Sequence, residues 1–343
     1  MEITLAILVI VVCVGFDFTN GFHDAANAIA TAVSTKALTP RAALTLAALA
    51  NLAGAMLGTA VAETIAKQIV NLDALNSLKI EQLTIVLAAL LGGVAWNLIT
   101  WWKGLPSSSS HALIGGLAGA GLAAMCIGWG VKVEWMHIVD KVLIPMVTSP
   151  AIGFVLGFFV MVLVLWIFRH AQAHRALRHF RMAQRFSSAA IALGHGLQDA
   201  QKTMGVMFMA ALAMNWVRPG EGIPFWIKAL AAAAIALGTY SGGFRIMRTL
   251  GRKIIEVDPA RGFVTESVAA SVLYLMAFVF HAPVSTTHTL TSALMGVGAT
   301  KRLSAVRWGM AGNIVTAWVL TLPAAAAVAF VCFFAVHGIL GLF

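Results

Sequence analysis

Ten apolar stretches, most of them near the roughly 20 residues that a helix needs to cross a hydrocarbon core, leave this chain few places to fold other than a bilayer. They fall at 3–35, 42–63, 80–102, 107–130, 142–168, 187–215, 224–244, 263–281, 284–300 and 308–337. Little lies between them from which to build a soluble surface. Of 343 residues 60% are apolar and 10% charged, and the mean hydropathy is +0.89. A soluble domain carries about 25% charged residues, because a globule of this size still needs a charged skin. The composition excludes a soluble enzyme, a nucleic-acid binder and a disordered chain. It predicts an all-α polytopic membrane protein with about 10–12 transmembrane helices. Net charge is +10, an excess that in a membrane protein collects in cytoplasmic loops. Cys13, Cys126 and Cys332 lie in separate apolar stretches without metal-ligand spacing and read as small buried hydrophobes. Met1-Glu2 lacks the basic start of a signal peptide, so the first stretch is expected to be retained.

The basic residues set the orientation. The stretch 169–185 holds Arg169, Arg175, Arg178, Arg181 and Arg185 with no acid, and reads as a solvated cytoplasmic connector. Counting segments outward places 36–41, 103–106, 245–261 and 301–307 on the same side. These five loops carry 16 Lys and Arg against 6 on the other side, with Lys202 inside a segment. Both termini then lie outside. The chain divides into a first repeat at 1–168, a basic linker at 169–186 and a second repeat at 187–343.

Three matches support the duplication. Asn20-Gly-Phe-His-Asp24-Ala-Ala-Asn27 pairs with His195-Gly-Leu-Gln-Asp199-Ala-Gln-Lys202 at an offset of 175. Thr64 to Asp73 pairs with Thr249 to Asp258 at 185, and Pro106-Ser-Ser-Ser-Ser-His111 with Pro283-Val-Ser-Thr-Thr-His288 at 177. The loop at 64–79 has Lys67 and Lys79 against Asp73, whereas its counterpart at 245–261 has five basic residues. Related loops with such different basic content are expected on opposite sides. The halves therefore read as an inverted repeat, with broken or re-entrant helices meeting at a midplane site, the arrangement that permits alternating access.

Polar residues inside the apolar stretches carry the chemistry. Asp24 and Asp199 sit at matched positions, and a carboxylate at membrane depth is costly unless it is paired, solvated or ion-bound. Helix breaks are expected there. Lys202, three residues after Asp199, either pairs with it or faces an anion. Glu63 and Glu266 lie near segment ends and read as interfacial; Asp17, upstream of Asp24, receives no role. Ser107 to Ser110, and Ser285, Thr286 and Thr287, each follow a proline and head a Gly-rich stretch. Proline then Ser/Thr is how a helix starts. Two such N-termini meeting near the membrane centre make an anion site without buried arginines; small-residue helix packing is the plainer alternative. His23, His111 and His288 flank the clusters, as hydrogen bonders or as proton carriers. Donors for an oxyanion beside carboxylates for a cation suit cation-coupled anion symport. A serine hydrolase on Ser110 and His111 does not fit, since adjacent helical side chains do not face each other.

Asn20 to Thr31, Gly104 to Gly115, Gly194 to Gly205, Pro283 to His288 and the stretch Gly243 to Gly251 through Gly262-Phe263 together resemble the inorganic phosphate transporter (Pit) family nearly end to end. The resemblance implies phosphate symport, an inverted-repeat fold of about a dozen helices and a homodimer in a bacterial plasma membrane. Carried over by motif, Asp24, Asn27 and Asp199 look like ion and substrate ligands, and Ser108, Ser109, Ser110, Ser285, Thr286 and Thr287 like phosphate ligands. His23 stands before Asp24 as in bacterial members that couple to protons and carry phosphate with a divalent metal. The coupling ion is thus H⁺, with Na⁺ the alternative, and sulfate is the rival substrate. No cofactor is implied. Gln198 departs from the Asn usual before the second Asp, which puts the second-half ligand geometry in doubt.

Overall fold

The computed structural model describes residues 1–341 apart from 64–69, 72–74, 76–77, 219 and 253. Of the Thr64–Asp73 repeat match, all but Val70 and Asn71 lies outside the described residues, as do Lys67 and Lys253.

Each of the ten apolar stretches is a helix: α1 (Glu2–Ser34), α2 (Pro40–Ala55), α3 (Lys79–Lys103), α4 (Ser109–Cys126), α5 (Trp135–Ile167), α6 (Ala173–Ala213), α7 (Phe225–Ser241), α9 (Pro259–Phe278), α10 (Thr286–Ala299) and α11 (Trp308–Leu340). A short basic helix, α8 (Phe244–Arg252), precedes α9. By length and composition α1, α3, α4, α5 and α11 are apolar enough to cross a membrane. At 16, 17 and 14 residues, α2, α7 and α10 are shorter than the roughly 20 residues of a full crossing.

Local chemistry sets the helix ends. Thr39 caps α2 by accepting from the Ala42 N–H at 3.3 Å, with Pro40 in the first turn, and Asp258 caps α9 by accepting from Arg261 N–H at 2.9 Å, with Pro259 next. Gly104 closes α3 in the left-handed region at φ 66°, which a side chain would oppose. In α5 the backbone widens to a π-turn over Val139–Leu143 just before Pro145, whose ring cannot supply an N–H to the preceding turn.

Two expectations need correction. The breaks expected at Asp24 and Asp199 do not occur, because α1 and α6 run unbroken through both residues. Neighbouring helices bring Ser109 and Thr287 to Asp24, and His195 and Lys202 of α6 itself flank Asp199, so the backbone keeps its own ladder. The interruptions fall instead at 104–108 and 279–285, ahead of α4 and α10. Nor is the basic stretch 169–185 a plain connector; from Ala173 onward it is the opening of α6.

Packing is paired between the two halves. α1 lies on α7 as α6 lies on α2, α4 on α11 as α10 on α5, and α3 on α4 as α9 on α10. The matched glycines explain the first pair of contacts: Gly21 meets the α7 backbone at Ile235 and Thr239, and Gly196 meets the α2 backbone at Asn51. At both, a Cβ would collide with main chain rather than with a yielding side chain. The counterparts α3 and α9 start at opposite ends of α1. Lys79 of α3 pairs with Glu2 at 3.5 Å, whereas Glu266 in α9 bonds Thr31 near the other end of α1. At that second end Arg185 Nε donates to Ala37 O at 3.0 Å, Thr249 to Gly104 O at 3.0 Å, and Arg307 N–H to Ile254 O at 3.0 Å. The first half closes similarly, through an antiparallel pairing of Val70–Asn71 with Lys132–Val133.

Candidate functional site

The site forms where α1 and α6 pass the starts of α4 and α10. Ser108 and Ser285 cap those helices alike, each accepting from the N–H three residues on: His111 at 3.3 Å and His288 at 3.2 Å. A cap uses the oxygen lone pairs and leaves the hydroxyl hydrogen free to donate. The imidazoles of His111 and His288 lie 4.9 Å apart between ring centroids, so the first turns of the two helices come close together. His288 also stacks on Trp318 of α11 at 4.1 Å.

Asp24 joins the two halves. Thr287 donates to its Oδ1 at 3.2 Å and Ser109 to its Oδ2 at 3.2 Å, one hydroxyl from each duplicated cluster. His23 Nδ1 lies 2.8 Å from Oδ1, and its Nε2 lies 3.1 Å from the Thr100 hydroxyl of α3. Asn27 Nδ2 donates to Thr287 Oγ1 at 2.7 Å, while Asn27 Oδ1 and Thr286 Oγ1 are buried without a hydrogen-bond partner. Such orphaned groups are costly unless something completes them.

Asp199 is built differently. Lys202 Nζ reaches its Oδ1 at 2.5 Å, donates to Val284 O at 2.9 Å and also bonds Ser110. Lys202 thus does both things the sequence left open: it pairs with Asp199 and reaches the hydroxyl cluster. His195 Nε2 lies 3.0 Å from Asp199 Oδ2, and its Nδ1 is 2.9 Å from Asn51 Oδ1. Asn51 donates in turn to Thr239 at 2.8 Å. Gln198 turns away: its amide donates to Leu273 O at 3.3 Å, leaving Oε1 buried and unpartnered.

One ligand atom each from Asp24, Asp199 and His195 falls within 4.8 Å of the others. Two carboxylates and an imidazole are a donor set for a cation. Every residue named in sequence as an ion or phosphate ligand is buried in one region, at 5% exposure or less. Sequence reasoning missed the part of His195, although it stands four residues before Asp199, on the same face of the helix. Glu266, read as interfacial from its place near a segment end, has a fully buried side chain, accepting from Ser187 at 2.5 Å, Ser188 at 3.0 Å and Gln184 at 3.0 Å, besides Thr31. Only long-range packing brings those hydroxyls to it.

Comparison with known proteins gives a consistent result. A family model described as the phosphate transporter family matches residues 20–329. A protein of Rhizobium meliloti (strain 1021) named probable low-affinity inorganic phosphate transporter is 44% identical over 340 residues, covering 98% of each chain. One of the same name from Bacillus subtilis (strain 168) is 42% identical over 330 residues, covering 96% of each. Among solved structures, the sodium-dependent phosphate transporter superposes with a TM-score of 0.82 at 26% identity, covering 97% of this chain and 98% of that one.

Proposed function

The chain belongs to the phosphate transporter family, and on that premise we propose that it is a symporter carrying inorganic phosphate across a bilayer with a coupling cation, the proton in preference to Na⁺. It is an integral membrane protein, and its relatives are named as transporters, not enzymes. One observation carries the reading: hydroxyls from both duplicated clusters converge on Asp24, beside Asp199 and its Lys202 partner. Hydroxyls and neighbouring helix N-termini suit an oxyanion. Asp24 and Asp199 against Lys202 leave a negative excess, so a bound anion requires an accompanying cation. Phosphate keeps a proton-bearing oxygen that can donate to a carboxylate, which sulfate at neutral pH lacks; this favours phosphate.

The His23–Asp24 contact, extended through Thr100 to Ser107, supports a proton as the coupling ion. Na⁺ is the second reading, favoured by the cluster of Asp24, His195 and Asp199 atoms, which also suits a divalent cation travelling with phosphate as cargo. The opposed directions of α3 and α9 along α1 support alternating access by two inverted halves. Labelled phosphate uptake into proteoliposomes under separate proton and Na⁺ gradients, with excess sulfate present, tests the reading. Proton-driven, sulfate-resistant uptake is expected. Uptake driven by Na⁺ alone overturns the coupling ion, and full block by sulfate overturns the substrate.

A further inference from the structure

Asp17 is the one carboxylate deep in α1 that the site above does not use. It is wholly buried, and an offset of 175 places Ala192 opposite it in the second half, so it stands outside the duplicated ligand set. Its Oδ1 accepts from the Thr203 hydroxyl of α6 at 2.8 Å, while its Oδ2 has no hydrogen-bond partner. Asn20, one turn on and 2% exposed, has its amide near Asp17 and its own Oδ1 equally unpartnered. An ionised carboxylate with one oxygen unmet is costly at this depth, and a proton on it removes the charge. A metal ion fits less well, since hard cations take six or more oxygens. Asp17, Asn20 and Asp24 are spaced i, i+3, i+7 and share one face of α1, leading to the carboxylate that both hydroxyl clusters touch. Cys13 on α1 and Asp199 and Lys202 on α6 are the titratable groups whose charges bear on Asp17; α3 and α7, which also pack on α1, add none among the described residues.

We propose that Asp17, with Asn20 and Thr203, is a proton-binding site separate from the substrate site, which carries a coupled proton toward Asp24 from the end of the molecule where α1 begins. The step is a proton transfer alone: the Asp17 carboxylate takes a proton from water on that side and gives it up when phosphate is released on the other. It rests on the proton-coupled reading of the symporter.

The test is the ratio of protons to phosphate in proteoliposomes, from a trapped pH dye and labelled phosphate, in wild type and Asp17→Asn. The amide keeps the shape of the neutral acid but cannot release a proton. The variant is expected to move about one proton fewer per phosphate, lowering the phosphate gradient attainable across one pH unit about tenfold. An unchanged ratio overturns the proposal and leaves Asp17 a structural residue. A wild type that moves no protons with phosphate overturns the proton-coupled reading along with it. Should Asp17→Asn fail to reach the membrane, Asn20→Leu decides, because it removes the amide that donates to the carboxylate and keeps the carboxylate itself. The half-maximal pH of uptake is then expected to move to higher pH, and an unmoved midpoint overturns the proposal.

Discussion

At the scale of single residues, Asp24 and Asp199 occupy matched positions but do different work. Asp24 is held by neutral donors, Ser109 and Thr287, together with His23, so its charge stays open to a cation. Asp199 is already matched by Lys202. Asp24→Asn keeps the volume and the fold but removes the carboxylate, so proteoliposome uptake is expected to fall to background while the purified protein keeps its elution profile and melting temperature. Lys202→Met strands Asp199 beside Ser110, and breaking a buried pair costs about 3–5 kcal/mol. This variant should lose both uptake and thermal stability, and Asp199→Asn placed on top of it should restore stability without uptake. A thermal-shift measurement on the double variant checks this; no recovery would show that Lys202 is held by Ser110 and Val284 rather than by Asp199.

Among the elements, close helix contacts determine where the site residues stand. α2 approaches α6 at Gly196 and α7 approaches α1 at Gly21, main chain against main chain. Gly196→Ala puts a methyl group into the Asn51 backbone, and overpacking of this kind costs about 1–3 kcal/mol. It also displaces Asn51 from His195, so reduced uptake is expected together with a lower melting temperature. Gly312 in α11 has nothing within 4 Å of an added Cβ, so Gly312→Ala should leave both unchanged. The caps Ser108 and Ser285 each fix the first turn of a helix aimed at the site. Replacing either with alanine costs ~1 kcal/mol of helix-end stability, and the expected readout is weaker phosphate binding in a filter or calorimetric assay, with the protein still folded.

For the whole molecule, the end-to-end contacts decide which loops share a side. Ala37 with Arg185, Gly104 with Thr249 and Ile254 with Arg307 gather the basic loops at one end. Arg261, Lys301, Arg302 and Arg307 line a cavity of about 160 Å³ there. Lys79, Glu2 and Lys132 stand at the other end. If the basic end is cytoplasmic, a cysteine placed at Arg178, in a background without Cys13, Cys126 and Cys332, is labelled by an impermeant maleimide in inside-out vesicles and protected in right-side-out ones. A cysteine at Lys132 gives the reverse pattern. Identical labelling of both in one vesicle orientation would refute this sidedness.

The sequence alone determined the membrane as solvent, the ten apolar helices and most of the residues that meet in the buried polar cluster. Apolar length and the pairing of Asp24 with Asp199, and of Ser107–Ser110 with Ser285–Thr287, are properties of the linear chain. Helix caps were legible for the same reason, since a proline, a hydroxyl and the next few N–H groups are neighbours in sequence. Tertiary structure alone decided whether α1 and α6 break. In α1 other helices bring the donors, Thr287, Ser109 and Thr203 arriving from 263, 85 and 186 residues away, whereas in α6 Asp199 is partnered by Lys202 and His195 of its own helix. It also decided that Glu266 is buried among hydroxyls, that His195 meets Asn51, and that Asp17 accepts from Thr203 with its other oxygen unpartnered. Each of these depends on which helix face meets which, and periodicity supplies a face without naming its partner.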